Sequence, residues 1–258
     1  MTKVLGTRIF GRRIYMNEEL LSLKPMLKKE CKAYGIDVTD LQVDALFAHL
    51  IGVLEKNKVI NLTRVTEPYD AVILHILDSL LLCTCNVPYE GKLLDIGTGP
   101  GYPGVPICIA KNMEGTIIDA RRKKIDADNE ILESIGLSKQ IHGVHGRIEE
   151  FALSHLGEYS IITARALAQT NIVIEYAAPL QAKNGYLLVA KANIQEDEFN
   201  AGLRASQLCG YEYVSRETYE LPNSLGHREI LVFKKTGKGK VKLPRKPGTA
   251  KSDPLGLQ

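Results

Sequence analysis

The stretch that decides the fold is residues 93–104, which read Leu-Leu-Asp-Ile-Gly-Thr-Gly-Pro-Gly-Tyr-Pro-Gly. An apolar run ends at Ile96, and four glycines follow within eight residues. Glycine lets the backbone turn tightly and lets a ligand approach where a Cβ would block it. A strand, a glycine-rich turn and a helix in this order are typical of a nucleotide-cofactor site. The alternative is a plain tight turn, which rarely needs four glycines.

Short apolar runs alternate with helical patterns around this loop. Nearly continuous apolar runs are expected for strands that are buried on both faces of a parallel sheet. The pattern therefore predicts a βαβ series and a doubly wound sheet. The predicted strands are Lys92–Ile96, Thr116–Asp119, Gln140–Val144, Ser160–Ala164 and Gly185–Ala190, and the predicted helices are Pro103–Asn112, Lys123–Ile135, Asn171–Leu180 and Gln195–Leu208.

Two further strand-like runs, Glu212–Glu220 and Arg228–Lys235, end this region. The connection between them is too short for a crossover helix, so we expect an antiparallel hairpin. A Rossmann-like, mostly parallel sheet with a C-terminal antiparallel hairpin is the plan of class I S-adenosylmethionine-dependent methyltransferases. This is an analogy at the level of the fold.

The segment before residue 91 has helical patterns. Thr39 is suited to cap one helix, Pro68 suits the first turn of another, and Pro25 marks a kink in a helix over Glu18–Lys32. We therefore divide the chain into a basic extension over residues 1–15, a helical region over 16–90, a Rossmann-like domain over 91–236, and a basic, flexible tail over 237–258.

Composition excludes several classes of protein. Apolar residues make up 45% and charged residues 24% of the 258 residues, which is the usual range for a globular protein. No run of 18 apolar residues is present, and the first fifteen residues lack the apolar core of a secretory signal. We therefore expect a cytoplasmic protein without membrane contact. The five cysteines form no Cys-x-x-Cys pair, so we predict reduced, buried thiols and no metal site.

The charge is unevenly distributed along the chain. Residues 234–258 contain eight basic side chains and one acid, a net charge of +7, whereas the remaining chain carries −4. A basic tail on a mildly acidic body suggests a polyanionic partner. A disordered, solubilising terminus is an equally good interpretation.

The spacing of the glycines leaves the cofactor open. Gly99, Gly101 and Gly104 fit the dinucleotide fingerprint, and Asp119 lies where that motif has its ribose-binding acid. Gly97, Gly99 and Gly101 fit the first methyltransferase motif equally well. Both schemes place an acid at the end of the second strand, so spacing alone does not separate them.

Longer blocks of sequence narrow the choice of cofactor. In these blocks the chain resembles the RsmG (GidB) family, which methylates a guanine N7 in small-subunit (16S) ribosomal RNA. The likeness runs from about Leu46 to Leu255, and the shared order of the blocks is its most specific feature. The blocks are 57–63 (NKVINLT), 75–80 (HILDSL), 95–106 (DIGTGPGYPGVP), 146–151 (GRIEEF), 164–166 (ARA), 189–191 (VAK) and 243–251 (LPRKPGTAK).

The resemblance implies S-adenosylmethionine as the cofactor and small-subunit ribosomal RNA, or the assembled 30S-type subunit, as the partner. We expect a monomer. The implied catalytic residues are Arg165 and His75, and RNA binding falls to Lys191, Arg245 and Lys246. The implied cofactor-binding residues are Asp95, Gly97, Gly99, Gly101, Tyr102, Asp119, Ile148, Glu149 and Arg165.

Some of these residues have alternative interpretations. Asp95 is expected to orient the loop or to meet the amino group of the cofactor. His75 and Asp78 lie three residues apart on one helix and either face the cleft together or make ordinary surface hydrogen bonds. Tyr102 is expected to stack on a base or on adenine, with a core position as the weaker alternative.

Two rival functions remain at this point. An NAD-dependent oxidoreductase would use the same loop, but no acid or base for hydride transfer is marked in the sequence. A methyltransferase-like module that only binds RNA is the second rival, although the intact loop, Asp119 and Arg165 argue against loss of activity.

Overall fold

The computed structural model describes residues 18–257, and these residues build one seven-stranded sheet. The strand order is β3-β2-β1-β4-β5-β7-β6. Strands β1 to β5 are parallel, and β7 pairs antiparallel with both β5 and β6. The strands are β1 (Lys92–Ile96), β2 (Glu114–Asp119), β3 (Ile141–His145), β4 (Tyr159–Arg165), β5 (Gln181–Lys191), β6 (Tyr211–Glu220) and β7 (His227–Lys235).

Helices cover both faces of this sheet. They are α1 (Lys24–Ala33), α2 (Asp40–Asn57), α3 (Pro68–Ala71), α4 (Asp78–Leu80), α5 (Gly104–Lys111), α6 (Arg122–Ser134), α7 (Ile148–Phe151), α8 (Thr170–Ala177), α9 (Glu196–Cys209) and α10 (Thr249–Ser252). A π-helical segment over Val72–Leu77 joins α3 to α4, and short 3₁₀ turns lie at Leu81–Thr84 and Pro222–Ser224.

The predicted fold class is confirmed, including the C-terminal antiparallel hairpin. The largest difference in the strands is β5, which begins four residues before the predicted Gly185. Lys183 and Asn184 in this added part are exposed, so the apolar pattern that identifies a buried strand is missing there. The pairing of β4 with β5 also shifts register between Tyr159 and Ile161.

A hydrophobic core lies on each face of the sheet. The first core packs α1 to α6 against side chains such as Leu93, Ile161 and Ile230. The second packs α8, α9 and the C-terminal segment against Leu94 and Leu231. Neighbouring residues of one strand thus enter opposite cores, as the alternation of side chains along a strand requires.

The residues predicted to begin helices in the N-terminal region do so in the structure. Thr39 caps α2 in a reciprocal capping box, in which its hydroxyl accepts from Gln42 N–H at 3.2 Å and Gln42 Oε1 accepts from Thr39 N–H at 2.9 Å. Pro68 occupies the first turn of α3. The helix expected over Glu18–Lys32 is interrupted at Leu23, two residues before Pro25.

The π-helical segment has no sequence signature and is not predicted. It lies in the middle of an otherwise continuous helical run from Pro68 to Leu80 and contains His75. Such segments inside α-helices are rare and occur frequently at functional sites.

The C-terminal segment differs from the flexible tail that the sequence predicts. Ala250 is buried in the second core, and Lys240 N–H donates to the Leu208 carbonyl at 2.7 Å. Arg245 makes a two-pronged ion pair with Glu175, a residue of α8 that is only 4% exposed. The partners of this basic segment lie far away in sequence, so local composition could not reveal that it packs on the domain.

Arg245→Gln is expected to lower the free energy of unfolding by about 3 kcal/mol, because it leaves the Glu175 carboxylate buried and unpaired. Urea denaturation at neutral pH measures this change. Lys246→Gln is the matched control, since Lys246 is the exposed neighbour, and it should leave stability unchanged. Equal stability of the two variants would mean that the ion pair does not hold the segment in place.

Within residues 18–257, no helix is long and apolar enough to cross a membrane. The predicted basic extension over residues 1–15 lies outside the described residues.

Candidate functional site

The glycine loop connects β1 to α5 at the carboxyl edge of the sheet. Gly97, Gly99 and Gly101 all have positive φ angles, of 73°, 64° and 85°, which other residues rarely adopt. The N–H groups of Gly97 and Thr98 donate to the Ile118 carbonyl at 2.8 and 3.1 Å, which ties the loop to β2. A Cβ on Gly97 would lie 2.5 Å from Leu167 Cδ1. The absence of a side chain at residue 97 therefore lets Leu167, in the loop after β4, pack directly against the glycine loop.

Asp95 is fully buried beneath this loop. One carboxylate oxygen accepts from Gly104 N–H at 3.0 Å, and the other accepts from the Thr163 hydroxyl at 2.9 Å. Burial raises the pKa of Asp95, although these hydrogen bonds oppose the shift. Because the side chain is fully enclosed and both oxygens accept from the protein, the geometry supports the first of the two expected roles, orientation of the loop.

Asp119 ends β2 and faces the loop. Its two oxygens accept from Gly99 N–H at 3.2 Å and from Arg121 N–H at 2.8 Å. Each oxygen of an ionised carboxylate can accept more than one hydrogen bond, so Asp119 keeps acceptor capacity for a ligand. It stands where both cofactor motifs need their ribose-binding acid.

A cavity of 290 Å³ opens beside Asp119 at this edge of the sheet. This volume is close to the lower end of those found for small-molecule sites, at about 300 Å³. Of the predicted cofactor residues, Gly97, Asp119, Ile148 and Glu149 line it. Sequence analysis missed the other lining residues, which include Ala166, Leu167, Tyr176 and Lys251.

Glu149 is held firmly in the wall of this cavity. Its Oε1 accepts from Gly248 N–H at 2.8 Å and from Arg147 at 3.1 Å. Burial alone would raise the pKa of Glu149, but these hydrogen bonds hold it below its ordinary value. The carboxylate is therefore an acceptor and not a general acid, and the C-terminal segment contributes directly to the cavity wall.

Ala166 follows Arg165 and has a positive φ of 54°. This conformation is uncommon for a residue with a side chain and concentrates at functional sites. It turns the backbone at the end of β4 toward the cavity, which Ala166 lines. Nothing in the sequence marks this conformation.

Tyr102 lies apart from the cavity, contrary to expectation. Its ring is 2% exposed and stacks on the His75 ring, with centroids 4.7 Å apart and planes within 8°. The His49 ring meets it edge-on at 5.0 Å. The π-helical segment supplies His75, so the faces of Tyr102 are occupied by protein. Gly101 is also outside the cavity, where a Cβ would lie 2.9 Å from His49 Nε2.

His75 is a buried, neutral imidazole. Its Nε2 lies 3.0 Å from the Thr63 hydroxyl. Burial, assisted by the nearby Arg165 guanidinium, lowers the pKa of His75 to about 4. The ring is therefore uncharged at neutral pH, with a single N–H, and it makes no hydrogen bond to Asp78.

Asp78 instead holds two arginines. Its Oδ2 accepts from Arg165 Nη1 at 2.9 Å, and its Oδ1 accepts from Arg228 Nε at 3.0 Å. Arg165 Nη1 also donates to the Leu74 carbonyl at 2.9 Å. Two cations on one carboxylate leave a positive charge at the end of β4. Arg228 comes from β7, and sequence analysis did not identify it because its partner lies 150 residues away.

Two of the three predicted RNA-binding residues form ion pairs within the protein. Lys191 Nζ lies 2.6 Å from Glu198 Oε1 and donates to the Ala168 carbonyl at 2.5 Å. Arg245 is paired with Glu175, and only Lys246 is exposed. The tail therefore offers less free positive charge than its composition suggests.

A larger cavity of 720 Å³ lies at the opposite edge of the sheet, lined by residues such as Cys209, Lys235 and Leu243. Ligands of open α/β sheets bind at the carboxyl ends of the strands, so we place the site at the smaller cavity. In the described part of the chain, no cluster of three His, Cys, Asp or Glu side chains could hold a metal. The five cysteines are buried and free, as expected.

Comparison with known proteins settles the family. The family model GidB, described as rRNA small subunit methyltransferase G, matches residues 42–225. The chain belongs to the GidB family. It is 34% identical over 239 residues to the ribosomal RNA small subunit methyltransferase G of Alkaliphilus oremlandii, covering 91% of this chain and 100% of the relative. The corresponding protein of Alkaliphilus metalliredigens is 32% identical over 236 residues, covering 90% and 98%.

Solved structures support the fold. A crystallised protein assigned as a sarcosine dimethylglycine methyltransferase from Galdieria sulphuraria superposes with a TM-score of 0.51 at 13% identity, over 66% of this chain and 88% of that one. This likeness concerns the fold alone. Together with membership of the GidB family, it assigns the glycine loop to the methyltransferase motif and not to the dinucleotide fingerprint.

Proposed function

We propose that this protein transfers a methyl group from S-adenosylmethionine to N7 of a guanine in small-subunit (16S) ribosomal RNA. The observation that carries the proposal is the match to GidB over residues 42–225, which includes the complete glycine loop, Asp119 and Arg165. The proposed substrate implies a cytoplasmic protein that meets the RNA or the assembled subunit.

The residues of the site fit this cofactor. Asp119 is a carboxylate acceptor suited to ribose hydroxyls, and the cavity beside it accommodates a nucleoside between Gly97, Ile148 and Glu149. Gly97 packs directly against Leu167, and both residues line this cavity. When bound, S-adenosylmethionine supplies an electrophilic methyl group on a cationic sulfur.

The chain needs to orient the reactants and does not need to remove a proton. Guanine N7 carries a free lone pair, so transfer to it requires alignment and electrostatic support. The site agrees with this requirement, since burial lowers the pKa of His75 to about 4, which makes the ring a weak base, and hydrogen bonds fix Glu149 in the cavity wall. The sequence at the end of β4 reads Thr163-Ala164-Arg165-Ala166 and lacks the Pro-Pro-Tyr signature of amino-group methylation. In this scheme Arg165, held by Asp78, fixes the cofactor carboxylate or the RNA.

The rate of transfer is expected to show no titrating limb near pH 6.5, the ordinary pKa of histidine. The folded pKa of His75 is about 4, so the ring stays neutral as the pH falls through 6.5 and takes up a proton only well below it. His75→Asn should reduce turnover modestly, because it removes the ring that stacks on Tyr102. Single-turnover transfer measured against pH tests this. A limb near pH 6.5 in the native protein that disappears in the variant would contradict the base-free scheme.

The proposed reaction itself is tested with cofactor labelled in its methyl group. The purified protein is incubated with unmodified small-subunit RNA and, separately, with assembled subunits, and the RNA is digested to nucleosides. We expect label in 7-methylguanosine alone. Label in another nucleoside would contradict N7 as the target. RNA binding without any transfer would favour the rival function, a module that binds RNA only.

A further inference from the structure

Four consecutive cations, Arg121 to Lys124, form the start of α6. Arg121 is the N-cap residue, and the next three occupy the first turn, which contains no acid. The N-terminus of a helix carries partial positive charge, so cations there are unfavourable and acids are favoured. The sequence thus places positive charge where it opposes helix stability.

The fourth cation, Lys124, has an internal role. It is buried, and its Nζ donates to the Leu62 carbonyl at 3.3 Å. This bond ties the start of α6 to the loop that follows α2. Arg64 lies on the same loop and is exposed. The loop that carries Arg64 is therefore a neighbour of the cations at the start of α6.

Arg122 and Lys123 are exposed, and neither forms an ion pair within residues 18–257. They follow Asp119 and Arg121, which line the cavity, so they stand at its rim. By contrast, Glu198 and Glu175 neutralise Lys191 of β5 and Arg245 of the C-terminal segment. Lys251 of that segment is exposed and lines the cavity, but it is a single cation, whereas the start of α6 presents two adjacent exposed cations.

We propose that Arg122 and Lys123, together with Arg64, form the surface that binds the phosphate backbone of the RNA beside the cofactor cleft. The proposal rests on the proposed function, since it takes RNA as the substrate. Exposed cations that neutralise phosphates position a nucleic acid without reading its sequence. This accounts for charges that the helix itself does not favour.

The test compares two double variants that change the net charge equally. Arg122→Glu with Lys123→Glu reverses the proposed surface. Lys139→Glu with Lys183→Glu is the matched control, because both lysines are exposed and lie near the amino ends of β3 and β5, at the opposite edge of the sheet. Neither pair includes a residue that lines the cofactor cavity.

The first variant should bind small-subunit RNA at least about 10-fold more weakly at low salt, and its affinity should depend less steeply on salt. Its melting temperature should rise, because acids now occupy the first turn of α6. The control should lose little RNA affinity, and both variants should keep their affinity for S-adenosylmethionine. Weaker RNA binding by a more stable protein cannot come from damaged folding.

Equal RNA affinity in the first variant and the native protein would overturn the proposed surface, and so would equal losses in the two double variants. If the native protein methylates the RNA in the same experiment, either result overturns the surface alone and leaves the proposed function unaffected. A native protein that neither binds nor methylates small-subunit RNA would overturn the function and the surface together.

Discussion

Gly99→Val is expected to abolish measurable binding of S-adenosylmethionine, a loss of at least about 100-fold in affinity. Residue 99 has a φ of 64°, a conformation that a β-branched residue does not tolerate. Its N–H also donates to Asp119, the acid assigned to the cofactor ribose. Valine would therefore displace the loop and the acid together. Calorimetric titration with the cofactor measures the effect.

The matched control is Gly136→Val. Gly136 has a similar φ of 76° at the end of α6, and a Cβ there would meet nothing within 4 Å. This variant introduces the same backbone strain far from the cavity, so it should lose stability but keep its cofactor affinity. If Gly99→Val folded and bound the cofactor normally, the loop could not be the cofactor site.

Arg165→Ala should lower turnover about 100-fold or more and also destabilise the protein by about 3 kcal/mol. The first effect follows from its place at the end of β4, directly before Ala166, which lines the cavity. The second follows because Asp78, which is 7% exposed, loses one of its two cationic partners. Turnover under single-turnover conditions and urea denaturation measure the two effects separately.

Two further variants separate the roles of Arg165. Arg165→Lys should not restore turnover, because Arg165 uses Nη1 alone for Leu74 and Asp78 and has Nε and Nη2 left for a ligand, whereas an ammonium group has no second nitrogen. Arg165→Gln combined with Asp78→Asn removes both charges, so stability should recover in part while turnover stays low. Recovery of turnover together with stability would show that Arg165 acts only in folding.

The fold could be predicted from sequence because its signals are local. A few neighbouring residues are enough to predict each of its main features. These are the buried strands, the glycine loop, the Thr39 capping box and the short connection of the C-terminal hairpin. Where a strand is partly exposed, as at Lys183 in β5, the local signal fails and the boundary moves.

The site could be predicted only in part. Gly97, Asp119, Ile148 and Glu149 line one cavity, and their role in binding the cofactor stays a prediction. The remaining features depend on pairs that are distant in sequence or on backbone geometry. Asp78 with Arg228 and Glu175 with Arg245 are such pairs, and the positive φ of Ala166 and the π-helical segment around His75 have no sequence pattern.

The C-terminal segment shows the limit of reasoning from charge alone. Its net charge of +7 suggested a flexible RNA-binding tail, but the fold pairs Arg245 internally and uses Gly248 N–H to hold Glu149 in the cavity wall. The exposed cations of α6 carry no stronger sequence signal, and only their position at the cleft distinguishes them.

The most direct test of the central claim is a map of N7-methylated guanines along small-subunit ribosomal RNA from cells that contain or lack this protein. Reduction followed by aniline cleavage cuts the RNA at 7-methylguanosine and locates each site. We predict that one guanine is methylated only when the protein is present, and that the Gly99→Val variant does not restore this site. An identical pattern of cleavage in both kinds of cell would contradict the account.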